Sequence, residues 1–265
     1  RWGFTQSPVL YKDTVIVAPQ TEKVGLVAYE RTTGKVRWQS PPVGRSWFSH
    51  APPYLTTLCG VDVLVTFANA HAGKDPPAII TGIDANTGAR LWRYVTWKRY
   101  NMPIAGGYTI GSFALKFTRD AENRWTHALL FKDNHHATPH IHTPVFYRDH
   151  LFVQSFDKFH NQQNNGLVCL DQQGELRWRT GPERDFDSGA MLAVDGLLLV
   201  MPGRTGVLSL VEASTERFHE LASAKVLEAR GGEVWANMAL SDGKLLVRDR
   251  HQLKCLDLRT PAAMP

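Results

Sequence analysis

A chain of 265 residues with 43% hydrophobic content can bury a full core, either as one large domain or as two smaller ones. Its formal charge of +5 comes from Lys and Arg scattered along the sequence rather than gathered in runs, which argues against nucleic acid as a partner. The most apolar stretch, Met191 to Met201, is interrupted by Asp195 and Gly196 and is too short to cross a bilayer, so no transmembrane segment is expected. The start, Arg1-Trp2-Gly3-Phe4, has no basic segment followed by an apolar one, so a signal peptide is expected to be absent from this chain.

Taken in chain order, the sequence repeats one unit: an apolar run, a polar turn and a second apolar run. It is seen first at Pro8–Val17, more loosely at Pro52–Val65, and again at Pro144–Val153, Ala190–Val200 and Met238–Val247. Each predicts a β-hairpin. The turns Asp195-Gly196 and Asp242-Gly243 are the strongest cases, because both central residues of a type I′ turn need positive φ. Aligning the units makes Pro8, Pro52, Pro144, Gly189 and Asn237 equivalent, at successive spacings of 44, 92, 45 and 48 residues. The doubled gap predicts a further, divergent hairpin, for which Phe113–Phe117 and His127–Phe131 are the runs available. Helical repeats of this length would place apolar residues at 3.6-residue spacing, and a β-sandwich would show no fixed period.

A second motif closes the repeats. Ala28-Tyr29-Glu30-Arg31-Thr32-Thr33-Gly34-Lys35-Val36-Arg37-Trp38 and Gly82-Ile83-Asp84-Ala85-Asn86-Thr87-Gly88-Ala89-Arg90-Leu91-Trp92 share acid, Gly and Trp at the same spacing. Cys169-Leu170-Asp171-Gln172-Gln173-Gly174-Glu175-Leu176-Arg177-Trp178 is one residue shorter. The acid is expected to accept backbone N–H bonds in the turn, Gly34, Gly88 and Gly174 to supply positive φ, and Trp38, Trp92 and Trp178 to pack between neighbouring sheets. Copies at Leu208–Glu212 and Cys255–Arg259 lack the Gly and Trp.

These motifs resemble the Ala-x-Asp-x-x-Thr-Gly-x-x-x-Trp signature of the pyrroloquinoline-quinone (PQQ) dehydrogenase propellers and their non-catalytic relatives, such as the propeller lipoprotein of outer-membrane assembly. The resemblance implies an all-β fold: a β-propeller of four-stranded antiparallel blades over residues 1–265, with about six repeats. The alternative is a fragment of a seven- or eight-bladed ring that lacks N-terminal blades. Trp2 is expected to lie on a strand that completes the last blade, because the C-terminal copy ends without its own Trp.

Residues just before each repeat's first strand, Gln6, His50, His142, Asp187 and Trp235, are expected to share the central mouth and to form the ligand-binding set. His140 and His142 alternate onto one face of an extended segment, which is spacing that suits a metal. The pairs Lys132-Asp133 and Arg184-Asp185 are expected to be solvated. Cys59, Cys169 and Cys255 form no CxxC pair and are expected to be small buried core residues.

The PQQ enzymes of the family carry an adjacent Cys-Cys disulfide and a Ca²⁺-binding Asp/Glu/Asn set. This chain has no adjacent cysteines. The resemblance therefore implies a scaffold without cofactor that binds a protein partner or small ligand in the periplasm or outside the cell. The second reading is a PQQ- and Ca²⁺-dependent oxidoreductase in which Trp235 stacks on the quinone and Asp187 is the catalytic base.

Overall fold

The computed structural model describes residues 6–44, 52–69, 77–99, 112–133, 136–137, 139, 142–156 and 164–259. Among them are 21 strands and no helix. Among the described residues no helix is long and apolar enough to cross a membrane. The chain divides into two compact units, Arg1–Gly107 with Leu115–Leu129, and Tyr108–Ala114 with Leu130–Pro265.

The first unit contains two four-stranded antiparallel sheets, each running in chain order from first strand to last. One is formed by β1 (Val9–Tyr11), β2 (Thr14–Val17), β3 (Val27–Glu30) and β4 (Val36–Gln39). The other is formed by β5 (Tyr54–Leu58), β6 (Val61–Asn69), β7 (Pro77–Asp84) and β8 (Arg90–Arg99). The divergent hairpin follows as β9 (Ser112–Arg119) and β10 (Trp125–Asp133), a two-stranded sheet in which the division between units falls.

The second unit continues the pattern. It holds a four-stranded sheet of β11 (Val145–Tyr147), β12 (His150–Phe156), β13 (Asn164–Leu170) and β14 (Leu176–Arg179), and another of β15 (Ala190–Val194), β16 (Leu197–Met201), β17 (Val207–Glu212) and β18 (Glu220–Lys225). The last, β19 (Ala239–Ser241), β20 (Lys244–Arg248) and β21 (Leu253–Asp257), has three strands among the described residues. Trp2, expected to complete it, lies outside them.

Every expected hairpin forms. The two Asp-Gly turns have φ of 49° and 82° at Asp195 and Gly196, and 50° and 71° at Asp242 and Gly243, so both central residues occupy the left-handed region as a type I′ turn requires. Interior strands differ in cover: β20 alternates exposed and buried residues, whereas β13 is enclosed on both faces. Leu167 to Leu170 of β13 are all fully buried, which is why that run is continuously apolar rather than alternating. On the outer strands β4 and β14 only Trp38 and Trp178 are buried.

The acid accepts backbone N–H bonds as expected in two copies of the acid–Gly–Trp motif, while in the first copy the Glu30 carboxylate accepts the Thr33 hydroxyl at 2.6 Å. Asp84 Oδ1 accepts the N–H of Asn86 at 2.7 Å and of Thr87 at 3.0 Å, and Asp171 Oδ1 accepts those of Gln173 and Glu175, each at 2.9 Å. Trp38 then packs into a core shared by the first two sheets, with Leu64, Ile83 and Ala85. Its ring lies so close to the next turn that a Cβ on Gly88 would sit 2.5 Å from it. Trp178 does the same in the second unit, against Met191, Leu198, Val200 and Val211, and its indole N–H donates to the Ser214 carbonyl at 2.9 Å. Trp92 stacks on Phe117 of β9 at 4.2 Å between ring centroids.

A size rule inside each sheet goes beyond the motif. The residue opposite the Trp is small: Ala28 faces Trp38, Gly82 faces Trp92 and Cys169 faces Trp178. In the sheet without a Trp the sizes are exchanged, Leu210 facing Ala222 at the same place in the register. A large ring leaves room on its own sheet only for a small neighbour.

This explains one cysteine and corrects the expectation for the other two. Cys169 is a buried spacer beneath Trp178, and burial pushes its thiol up to about 12. Cys59 stands at a turn with φ 48° and Cys255 lies on β21, and both are exposed. Two thiols are therefore expected to react rapidly with a disulfide reagent in the native protein, and three after unfolding. Rapid reaction of three in native buffer would contradict this placement.

Candidate functional site

The segment ahead of the first strand carries a polar or aromatic residue in each sheet of the second unit. His142, Asp187 and Trp235 each precede the first strand of a sheet, β11, β15 and β19, by three or four residues. The structure links them in series. Buried His142 accepts the backbone N–H of Gln154 on β12 at its Nε2, 3.0 Å away. The Gln154 side chain is fully buried, and its Nε2 donates to the Ala190 carbonyl of β15 at 3.1 Å. That bond orients the amide, and Oε1, pointing the other way, has no hydrogen-bond partner among the described residues. A buried acceptor in this state is a place for a donor from water or ligand.

Asp187, three residues before β15, is held from two sides. Its Oδ1 accepts the Gly203 N–H at 2.6 Å, and its Oδ2 lies 3.2 Å from Arg204 Nε. Gly203 is required there, because a Cβ would come within 2.7 Å of the Ser188 carbonyl and 3.0 Å of Trp235 Nε1. The Gly203 carbonyl accepts the Val234 N–H at 2.9 Å, which fixes the segment carrying Trp235. Asp187 and Ser188 are buried, while Trp235 is 41% exposed.

Burial raises the Asp187 carboxyl above the ordinary carboxylate range. The Gly203 N–H and the Arg204 guanidinium oppose the rise, and neighbouring Asp185 adds to it. The sign follows directly. The native state binds this proton more tightly than the unfolded chain, so the contribution is full at acid pH and is lost as pH rises through the folded value. Asp187→Asn, which retains an acceptor for Gly203, is expected to match the parent or exceed its stability at pH 7 and to lose that parity in acid. Asp187→Ala strands the Gly203 N–H and is expected to cost about 1–3 kcal/mol. Denaturant melts between pH 4 and pH 8 would measure both.

Gln6, in the first unit, is half-buried ahead of β1. His50 and His140 lie outside the described residues, and among the described residues no three His, Cys, Asp or Glu side chains are grouped to hold a metal ion. Arg184 corrects an expectation. It is not simply solvated, but pairs with Glu220 of β18 and lies over the Phe218 ring, 5.3 Å from its centroid.

Sequence reasoning missed Gln154, Gly203 and Arg204. A signal for the last two exists in Pro202-Gly203-Arg204-Thr205-Gly206, an Arg between glycines directly after an apolar strand.

The sequence matches the family described as "Outer membrane protein assembly factor BamB" over residues 1–110 and 76–260. None of the curated proteins is a match. Among solved structures, the computationally designed Ika8 protein is 9% identical with a TM-score of 0.44, the match covering 94% of each chain. BamB from Moraxella catarrhalis is 13% identical with a TM-score of 0.36, over 96% of this chain and 94% of that one. Quinohemoprotein alcohol dehydrogenase from Comamonas testosteroni is 15% identical with a TM-score of 0.39, and the match spans 92% of this chain but 43% of the enzyme.

Proposed function

The chain belongs to the family of the outer membrane protein assembly factor BamB, a family of PQQ-like β-propellers, and on that premise we propose that it is a non-catalytic extracytoplasmic scaffold binding a protein or small ligand at the mouth formed by its innermost strands. The observation that carries this reading is the series His142–Gln154–Ala190 and Asp187–Gly203–Trp235. It comprises buried His142 and Asp187 and the half-open Trp235 indole, each ahead of the first strand of its sheet, with an unsatisfied amide oxygen at Gln154 on β12. The Asp187 carboxylate is already engaged by a backbone N–H and a guanidinium, which suits a structural support better than a base presented to substrate. The reading places the protein in the periplasm or outside the cell. It takes about six blades, each sheet in chain order forming or contributing to one.

A quinoprotein oxidoreductase is the second reading, favoured by the exposed face of Trp235 and the raised Asp187 carboxyl beside it. No adjacent cysteines are present to form the disulfide of the PQQ enzymes. A thermal melt with PQQ and Ca²⁺ separates the two, since a ligand of the native state must raise the melting temperature. The scaffold reading expects no saturable rise, and a rise abolished by Trp235→Ala would replace it with the oxidoreductase. Its positive test is a photo-crosslinking residue at position 235, expected to give a periplasmic adduct that unlabelled parent protein competes away. Absence of any such adduct would count against the scaffold.

A further inference from the structure

We propose that the outer edge of β18 pairs with β18 of a second copy of this chain, antiparallel about a two-fold axis at Ser223. In the register between third and fourth strands, Gln39, Arg93, Arg179 and Ser223 occupy one place, opposite Val27, Thr81, Val168 and Ser209. The fourth strand ends each of these sheets, and its outward N–H and C=O groups are a template for another strand. Three of the four carry a device against that. Two copies of β8 or β14 meeting at this place would set Arg93 or Arg179 against itself, and like charges directly opposite are destabilising. β4 has only four residues and is followed two residues later by Pro41, which has no N–H to offer.

β18 has neither safeguard. Its six residues, Glu220-Leu221-Ala222-Ser223-Ala224-Lys225, hold no Pro and no charge between the two ends, and all but Glu220 are exposed. Directly opposite side chains must lie on the same face, so an antiparallel pair of identical strands sets one residue against its own copy. With Ser223 there, Ala222 meets Ala224 of the second copy. The register shift at Leu210/Val211 puts Glu220 and Leu221 together in the next place, and Lys225 of the second copy faces it. The edge is therefore self-complementary, with a Glu–Lys pair at each end. Arg184 holds the Glu220 carboxylate through Oε2, and Oε1 takes no hydrogen bond among the described residues, so a second cation still finds an acceptor.

Each copy carries a charge of +5, which opposes approach, and one strand pair buries less than the roughly 1,200 Å² of a stable interface. The dimer is therefore weak and reversible, forming in the range of about 10 μM to 1 mM. β18 is the last strand of its sheet and Asp187 precedes the first, so the pairing stands apart from the scaffold reading.

Sedimentation equilibrium of the full-length protein over that range, at a salt concentration of about 0.15 M, is expected to show monomer and dimer in exchange. Ser223→Arg gives β18 the residue type found at this place in β8 and β14. It should weaken association roughly tenfold or more and leave the melting temperature of the monomer unchanged. Lys225→Glu sets carboxylates against each other at both ends and should also weaken association by roughly tenfold. Geometry is read with single cysteines in a Cys59→Ser/Cys255→Ser background. Ser223→Cys lies about 4.5–5.5 Å from its copy between Cα atoms and should cross-link on mild oxidation. Ala224→Cys lies roughly 8 Å from its copy, beyond disulfide reach, and should not.

A monomer throughout the range, association untouched by Ser223→Arg, or cross-linking at 224 equal to that at 223 would each overturn the pairing. A cysteine at 223 that joins a different protein in a periplasmic extract, while the purified chain stays monomeric, would overturn it in favour of a partner's strand on the same edge. The scaffold reading survives all of these results, because its adduct is sought at position 235.

Discussion

Trp178→Ala is expected to cost about 3–5 kcal/mol, the range for emptying a large aromatic site in a packed core. The ring fills the space between two sheets of the second unit, 6.0 Å from the rings of Phe152 and Phe218, and its N–H is bonded to Ser214. Removing it opens a cavity against Cys169, which is too small to fill it, and unpins the turn that follows β17. For a domain of this size the loss corresponds to a melting temperature lower by roughly 6–20 °C. Trp178→Phe keeps most of the volume but loses the hydrogen bond and should fall between. Trp235→Ala is the comparison, since its ring is 41% exposed and its removal is expected to cost clearly less than that of Trp178. Equal losses at Trp178 and Trp235 would show that Trp178 is not the element that binds the sheets together.

Gly189→Ala is expected to be at least as damaging, for a different reason. A Cβ at residue 189 would lie 1.6 Å from the Met201 carbonyl oxygen and 2.6 Å from its carbon, and backbone cannot rotate away as a side chain can. Overpacking of this kind costs about 1–3 kcal/mol where the surroundings yield and more where they do not. Gly34→Ala provides the comparison: φ is 70° and a Cβ would meet nothing within 4 Å, so only the left-handed strain of about 1–2 kcal/mol applies. Denaturant melts of the two variants should therefore separate, Gly189→Ala being the worse or failing to fold. A Gly189→Ala protein as stable as the parent would mean that β15 and β16 do not approach each other as closely as described.

These two glycines mark the boundary between what sequence and structure each decide. In the sequence they are alike. Gly34 could be assigned from its place between Glu30 and Trp38, because a turn that needs positive φ is a local demand and leaves a local trace. The hairpins, the Asp-Gly turns, the acid–Gly–Trp motif and even the divergent hairpin at β9 and β10 were legible for the same reason: strand alternation and turn geometry act over a few residues and recur with each repeat. The candidate positions His142, Asp187 and Trp235 were legible as equivalents, since a repeat places them at the same point of each sheet.

What joins them was not. Gln154 looks like one polar residue in a strand, and only the packing of β12 beside β15 gives its amide the Ala190 carbonyl and leaves its oxygen unsatisfied. Arg204 meets Asp187 because the end of β16 passes beside the segment before β15, and Gly203 is needed because Trp235 arrives from a third stretch of chain. The three cysteines differ only by where the fold sets them, one beneath a tryptophan and two in the open. Repeat, strand and turn are written in short-range sterics and so belong to the sequence. Charge pairing, close approach and burial depend on which distant segments meet, and those the tertiary structure alone decided.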